Sequence, residues 1–200
     1  MTGDAGFSAC GQYRWWLRRQ WQPLWPRLLV IGLNPSRADA QRDDPTLRRI
    51  VGFAQRWGYG SVTLLNLHAR ITPSPAVLRR CPDPVGSEND RWLRTVLTTG
   101  GVAAWLAWGN QGSWRGRDRA VLDLLGEAAP GVPLLVLGLT AQGQPRHPLY
   151  APATLPPQRV CRRRLLQGSL AQTSEPGASC GQRVDEPWPA PRVATPSICI

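Results

Sequence analysis

The stretch RLLVIGLNPSRADAQRDDPTLRRIVGFAQRWGYGSVTLLNLHA, residues Arg27 to Ala69, holds the pattern that decides the fold. It predicts a buried strand from Arg27 to Leu33, a polar loop, a capped helix and a second buried strand from Ser61 to Leu67. An asparagine, Asn34 or Asn66, lies at the end of each strand. Because ligands bind at the carboxyl ends of parallel strands in open α/β sheets, the two amides indicate a ligand site.

The helix between these strands has signals at both ends. Asp43 or Asp44 stands in the position of a helix cap, and Pro45 occupies the first helical position, where the missing N–H has no intrahelical partner to lose. Apolar residues then recur at helical spacing until Gly58, which predicts the end of the helix. The unit is therefore predicted to be strand, helix and parallel strand.

Two further apolar runs extend this unit. Val102 to Trp108 and Pro133 to Leu139 predict a third and a fourth strand, with a helix from about Arg117 to Leu125 between them. Strands that alternate with helices indicate a parallel sheet with helices on both faces. We therefore expect an α/β fold, a three-layer α/β/α sandwich with a central, mainly parallel four-strand sheet.

The ends of the chain differ from this middle part. Residues 1–12 are small and polar, and we expect them to be disordered, so that a single α/β domain covers residues 13–150. Residues 151–200 are rich in Pro, Ser and Arg, which predicts a largely disordered tail with a short basic helix around Arg159 to Leu166. Four tryptophans lie among arginines from Tyr13 to Trp25. They predict apolar cover on a sheet edge or, alternatively, a base-stacking surface.

The chain of 200 residues has a net charge of +11, and all of its basic residues are arginines. Clustered arginine attracts phosphate, so DNA or a nucleotide is a predicted partner. A bias toward GC-rich codons would produce the same excess of arginine. The composition leaves both explanations open.

The five cysteines include no CxxC pair. Their odd number and spacing predict neither a disulfide framework nor a zinc or iron–sulfur site, so we expect no cofactor. No run of about 18 apolar residues occurs, and we therefore expect no membrane partner. The expectation is a soluble, cytoplasmic protein, and a monomer.

Three polar side chains near predicted strand ends are candidates for one binding site. Asn66 offers both a donor and an acceptor, which matches the edge of a nucleobase or an amide. Asn34 precedes Pro35 in a tight exit from its strand, so its amide can hold a ligand or a water. His147 lies between an arginine and a proline, and its imidazole could stabilise developing negative charge. Two alternatives stay open: Asn34 could bond its own loop, and Asn66 could be a structural brace.

A metal site is a further alternative. Asp39, Asp43 and Asp44 could bind a divalent cation and serve an enzyme of small molecules. Asp44 is already explained as a helix cap, however, and the three carboxylates have no regular ligand spacing. The prediction is therefore that the site holds no metal.

Four short motifs resemble the uracil-DNA glycosylase superfamily in their order along the chain: GLNPS (Gly32 to Ser36), LLNL (Leu64 to Leu67), WLAWGNQG (Trp105 to Gly112) and RHPLY (Arg146 to Tyr150). A longer part of the sequence is similar to a bacterial family known only as domain of unknown function 1643. It includes the blocks YRWWL, DDPTLRR, GFAQRWGYG and DPVGSEND, and it covers roughly residues 10 to 150.

The glycosylase resemblance implies a uracil-DNA glycosylase-like fold and three residue roles. Asn34 matches the residue that positions the attacking water, Asn66 the reader of the base edge, and His147 the residue that stabilises the departing base anion. Such an enzyme extrudes a nucleotide from DNA, reads the base in a pocket and stabilises charge on the leaving group. Asn34 is uncharged, so it can orient a water but cannot act as a carboxylate base.

The resemblance also implies two loops that contact substrate. Pro35 and Ser36 continue the first loop, where Ser36 replaces the glycine of the NPG motif in mismatch-specific relatives. Pro148 and Leu149 match the loop that enters the duplex. The prediction is thus a base-binding cleft in a DNA base N-glycosylase, a hydrolase. The alternatives are a non-catalytic nucleotide- or nucleic-acid-binding module and the metal-dependent enzyme described above.

Overall fold

The structure is a computed structural model that describes residues 1–36 and 40–168. These residues form seven strands: β1 Thr2–Phe7, β2 Arg14–Gln20, β3 Arg27–Gly32, β4 Ser61–Asn66, β5 Ala103–Leu106, β6 Leu134–Val136 and β7 Gln158–Val160. They also form five α-helices: α1 Pro45–Arg56, α2 Pro75–Leu78, α3 Asn89–Thr98, α4 Arg117–Ala128 and α5 Arg162–Gly168. Short 3-10 turns cover Asn110–Gly116 and Pro148–Tyr150.

The strands form one sheet with the order β1-β2-β4-β3-β5-β6-β7. Its four middle strands, β4, β3, β5 and β6, are parallel to their neighbours and are the four that the apolar runs predicted. At the two edges, β2 pairs with β4, β1 with β2, and β7 with β6, all antiparallel. The expected four-strand sheet is therefore wrong in size, since the sheet is a mixed one of seven strands.

Alternate residues of each middle strand point to opposite faces of the sheet. In β3, Leu28 and Val30 join the apolar cluster that includes α1, whereas Leu29 and Ile31 join the cluster that includes α3, α4 and α5. Both clusters consist of buried side chains. Every residue of β4 is buried as well, whichever face of the sheet its side chain is on. The sheet is therefore covered by helices on both faces and has a hydrophobic core on each.

The ends of the chain add strands that the sequence did not predict. Residues 1–12, expected to be disordered, contain β1, whose Thr2 pairs with Gln20 of β2. Strand β1 is largely exposed and is held by backbone pairing, so it has no hydrophobic pattern to read. The domain also continues past residue 150, because β7 and α5 bury Val160 and Leu165. The expected tail thus begins later than predicted, and its residues 169–200 lie outside the described residues.

The tryptophan-rich segment is the second strand of the sheet. Trp15 of β2 is buried and stacks on Tyr13 with the ring centroids 5.5 Å apart, while Trp16 packs against Trp92 of α3. These rings therefore cover the sheet and neighbouring helix.

Among the described residues, none of the helices is long and apolar enough to cross a membrane.

Candidate functional site

A cavity of about 700 Å³ opens at the carboxyl ends of the middle strands. The chain passes from β3 to β4 on one side and later places β5 on the other side of β3. Connections that leave neighbouring strands in opposite directions form a crevice at this switch point of an open sheet. The volume lies within the range of roughly 300–1,000 Å³ that is usual for pockets of small ligands.

The structure brings five of the seven predicted site residues to this cavity: Asn34, Ser36, Asn66, His147 and Leu149. They come from the ends of β3 and β4 and from the loop after β6. The remaining two, Pro35 and Pro148, are buried and are not among the residues that line the cavity. Their carbonyl oxygens instead accept hydrogen bonds from Asn34 and Arg49.

The amide of Asn34 has a fixed orientation. Its Nδ2 donates to Oγ1 of Thr72 at 2.8 Å, to the carbonyl of Pro35 at 2.9 Å and to the carbonyl of Thr72 at 3.2 Å. Because carbonyl oxygens only accept, these contacts identify the amide nitrogen. Oδ1 accepts no hydrogen bond from the residues that the structure describes. Asn34 therefore bonds its own loop at Pro35 and the loop after β4 at Thr72, and it keeps an acceptor for a ligand or a water.

Asn66 is 2% exposed, yet it lines the cavity. Its Nδ2 is buried and has no hydrogen-bond partner among the described residues. A buried unpaired donor is destabilising by about 1–3 kcal/mol unless something in the cavity accepts from it. A structural brace would have its donors paired within the protein. The geometry of Asn66 therefore favours a side chain that reads a ligand.

The backbone beneath Asn66 is held firmly. Asn89 of α3 donates through Nδ2 to the carbonyls of Asn66 and Leu67, at 3.2 and 3.1 Å. Arg117 of α4 donates through Nε to the carbonyl of Leu67 at 2.7 Å. A Cβ on Gly32 would lie 3.0 Å from Oδ1 of Asn66, so the glycine leaves room for this amide. The backbone at the end of β4 is therefore fixed by hydrogen bonds, whereas the side-chain nitrogen of Asn66 has no partner among the described residues.

His147 lines the cavity, where burial favours the neutral form of its imidazole. Burial lowers the pKa of His147, and the negative charge of Asp44 opposes this shift only in part. Its Nδ1 accepts from the backbone N–H of Leu149 at 3.3 Å, which places the proton of the neutral ring on Nε2. The side chain thus offers an N–H rather than a full positive charge.

The loop that carries His147 is anchored on both sides. Gln144 donates to Oδ2 of Asp118 at 2.9 Å and accepts from the indole of Trp108 at 2.8 Å. On the other side, Arg49 of α1 donates to the carbonyls of Pro148, at 3.3 Å, and Ala151. These contacts tie the loop to α1, α4 and the end of β5, and hence fix His147 relative to the sheet.

Several residues that line the cavity were not predicted as site residues, among them Arg14, Thr72, Arg146 and Asp44. Asp44 does cap α1, as predicted, because its Oδ1 accepts from the N–H of Leu47 at 2.7 Å. Its Oδ2 also accepts from the hydroxyl of Ser36. From the sequence, Asp44 was interpreted as a helix cap or as one of three alternative metal ligands, and neither interpretation placed it beside Asn34 and His147.

The three carboxylates of the metal alternative do not form a group. Asp43 makes an ion pair with Arg19, with Nη2 and Oδ1 2.8 Å apart, and Asp44 caps α1. Asp39 lies outside the described residues. Over residues 1–36 and 40–168, no three His, Cys, Asp or Glu side chains are arranged to hold a metal ion. The described residues therefore give the metal alternative no support.

The comparison with known proteins identifies a family and no individual relative. No curated protein matches this chain, and no solved structure matches it either. The resemblance to uracil-DNA glycosylases consequently rests on the four motifs. Residues 14–149, more than half of the chain, match the family described as Protein of unknown function (DUF1643), and the chain belongs to that family.

Proposed function

We propose that this protein binds a nucleobase in the cavity and hydrolyses its N-glycosidic bond, with a fold of the uracil-DNA glycosylase type. One observation carries the proposal. Asn34, Asn66 and His147 come from three separate parts of the chain and line one cavity, in which Asn66 presents a buried, unpaired amide donor. The cavity is large enough for a base together with its sugar.

The amide of Asn66 suits the edge of a base. It presents a donor, Nδ2, and an acceptor, Oδ1, side by side, as a nucleobase does on its pairing edge. A bound base would satisfy the donor that the protein leaves unpaired. A ligand without an acceptor at that position would leave Nδ2 unsatisfied, and the site would reject it.

Asn34 and His147 suit the two ends of the reaction. Cleavage of the glycosidic bond leaves its electron pair on the base, and Nε2–H of His147 can donate a hydrogen bond to that charge. The free Oδ1 of Asn34 can accept from a water and orient its oxygen toward the anomeric carbon. Placing both groups in one cavity supports a hydrolysis of the nucleoside bond.

Features at the mouth of the cavity support a polymeric substrate. Leu149 and Tyr150 line the cavity next to each other and are 42% and 80% exposed. Exposed apolar residues beside a base pocket can occupy the space that a flipped nucleotide leaves in DNA. The net charge of +11 supports the same partner.

The test is a release assay with purified protein and a panel of single- and double-stranded oligonucleotides that carry modified or mismatched bases. We expect free base from at least one substrate, and a loss of at least about 100-fold in Asn34→Ala and His147→Ala. Arg91→Ala is the folded control, because Arg91 is exposed on α3, pairs with Glu88 and does not line the cavity. Release that is unchanged in both cavity variants would contradict the assigned roles.

A non-catalytic base-binding module is the second candidate, and one observation favours it. Asn34 is an uncharged amide whose nitrogen is already bonded to Pro35 and Thr72, so it offers an attacking water no basic group. Such a module would bind oligonucleotides with an affinity that falls as salt rises, and would release no base. Salt-sensitive binding that depends on Asn66, with no base released from any substrate, would support this candidate over the hydrolase.

A further inference from the structure

Asp44 is the only carboxylate among the described residues that line the cavity. Its two oxygens are held separately. Oδ1 accepts from the N–H of Leu47, and Oδ2 accepts from the hydroxyl of Ser36, which is two residues after Asn34. The carboxylate is thereby fixed at the start of α1, beside the loop that carries Asn34.

Asp44 and His147 face the same cavity and are connected through α1. Asp44 caps the start of this helix, and Arg49 of the same helix donates to the carbonyls of Pro148 and Ala151, in the turn that follows His147. The negative charge of Asp44 also acts on His147 and raises its pKa against the effect of burial. The carboxylate and the imidazole therefore line one cavity and are joined through α1 and the turn that follows His147.

Hydrolysis needs a proton acceptor that the predicted site residues lack. A water that attacks the anomeric carbon must lose a proton as its oxygen forms the new bond. Asn34 cannot take that proton, because an amide has no useful basicity, and neutral His147 is a donor toward the cavity. A carboxylate that lines the same cavity supplies the missing group.

We propose that Asp44 is the general base of the reaction and that Asn34 only orients the water. This inference rests on the proposed hydrolase function. The oxygen of water forms a bond to the anomeric carbon, its proton moves to Asp44, and the bond between carbon and base nitrogen breaks. The electron pair leaves with the base, which is stabilised by Nε2–H of His147. Asp44 then releases its proton and the base takes one up, so that water adds one hydroxyl to the sugar and one hydrogen to the base, and the carboxylate is restored.

The cap role of Asp44 can be separated from this catalytic role. Asparagine is as good a helix cap as aspartate, since its side-chain oxygen can also accept from the N–H of Leu47. Asp44→Asn should therefore keep α1 in place while removing the basic group. Asp123→Asn is the matched control, because Asp123 is exposed on α4 and does not line the cavity.

The experiment measures base release and substrate binding for the wild type and the two asparagine variants, with the substrate found in the release screen. We expect Asp44→Asn to lower kcat by about 100-fold or more, with substrate affinity and melting temperature close to those of the wild type. Asp123→Asn should match the wild type in all three. A kcat for Asp44→Asn within about threefold of the wild type would overturn the proposal.

A second variant tests proton transfer itself. Asp44→Ser keeps a preferred cap residue and removes the carboxylate, which leaves space for a small acid. Added formate should raise the release rate of Asp44→Ser and leave that of Asn34→Ala unchanged. An equal effect of formate on both would overturn the assignment of the base to Asp44.

The two proposals fail differently. A wild type that releases base while Asp44→Asn is equally active removes Asp44 from the chemistry and leaves the hydrolase standing. A wild type that binds oligonucleotides and releases no base overturns the hydrolase, and the general base with it.

Discussion

Two buried side chains lie two residues apart at the end of β4 and differ in what surrounds them. Asn66 and His68 are 2% and 0% exposed, and each has side-chain nitrogen with no hydrogen-bond partner among the described residues. Asn66 lines the cavity, whereas His68 does not and packs against Trp114, with ring centroids 5.2 Å apart. The difference teaches that an unpaired buried polar group marks a candidate site only where a ligand can reach it.

The two residues should respond to different perturbations. Asn66 should respond to ligand, because only a bound partner can satisfy its amide. His68 should respond to pH, because its burial and the charges of Arg117 and Arg115 lower its pKa to about 4. The imidazole of His68 therefore stays neutral in the folded protein near pH 7, and His68 has no role in the proposed mechanism.

The largest effect is expected from Asn66→Leu. The variant should lose affinity for a base-containing oligonucleotide by at least about 100-fold, since the pocket would lose both the donor and the acceptor that read the base. Its unfolding free energy without ligand should not fall, because the unpaired amide contributes no hydrogen bond. Binding titrations and urea unfolding measure the two quantities.

Asn89→Leu is the control for this variant. Asn89 is also buried, but its side chain donates to the backbone carbonyls of Asn66 and Leu67, at and just after the end of β4. Its loss should lower the unfolding free energy by about 1–3 kcal/mol. If Asn66→Leu and Asn89→Leu lowered the unfolding free energy equally, Asn66 would be a structural brace like Asn89 and not a residue that contacts a ligand.

His68 should make stability depend on pH. Its pKa is about 4 in the fold and 6.5 in the unfolded chain, so between these values the unfolded chain binds a proton that the fold does not. The contribution is complete above pH 6.5 and is lost as the pH falls toward 4, by up to about 3 kcal/mol. Urea unfolding of the wild type and His68→Leu at pH 7 and pH 4.5 measures it. An identical pH dependence of the two proteins would contradict a buried neutral His68.

A smaller effect on function than that of Asn66→Leu is expected from Gly109→Ala, just after β5. Gly109 has φ 70° and ψ −173°, a conformation almost restricted to glycine, and a Cβ there would lie 3.3 Å from Cβ of His147. The variant should lose about 1–3 kcal/mol of unfolding free energy and should displace His147, which lowers the rate of base release.

Gly116→Ala is the control that separates the effect of backbone strain from the effect of displacing His147. Gly116 also has positive φ, at 65°, but an added Cβ would meet nothing within 4 Å. This variant should lose about 1 kcal/mol of unfolding free energy without affecting base release. Unchanged base release in Gly109→Ala would show that the glycine is needed only for its backbone conformation and not for the position of His147.

The middle of the fold was predictable because its signals are local. The apolar runs of β3, β4, β5 and β6, the cap at Asp44 and the first-turn proline of α1 are all read within a few residues. The edges were not predictable by the same means. Strand β1 is paired through its backbone and largely exposed, and β7 has three residues, so neither carries a hydrophobic period.

Individual residues of the candidate site could be predicted from the sequence, but the full set that surrounds the cavity could not. Asn34, Asn66 and His147 could be named because each follows an apolar strand or stands in a motif. That Asp44 also borders the cavity depends on how the loop after β3 folds back, and that Arg14 reaches it depends on where the antiparallel β2 is added to the sheet. Neither placement follows from spacing along the chain.

The sequence by itself determined the alternation of strands and helices and the polar residues that end the strands, because hydrophobic period and helix caps act over short distances. Only the tertiary structure decided which of those polar groups share a cavity. It placed Asn66 in the wall of the cavity and packed His68 against Trp114, although the two residues are only two positions apart in the chain. The reason is that access depends on contacts between distant segments, which local patterns do not encode.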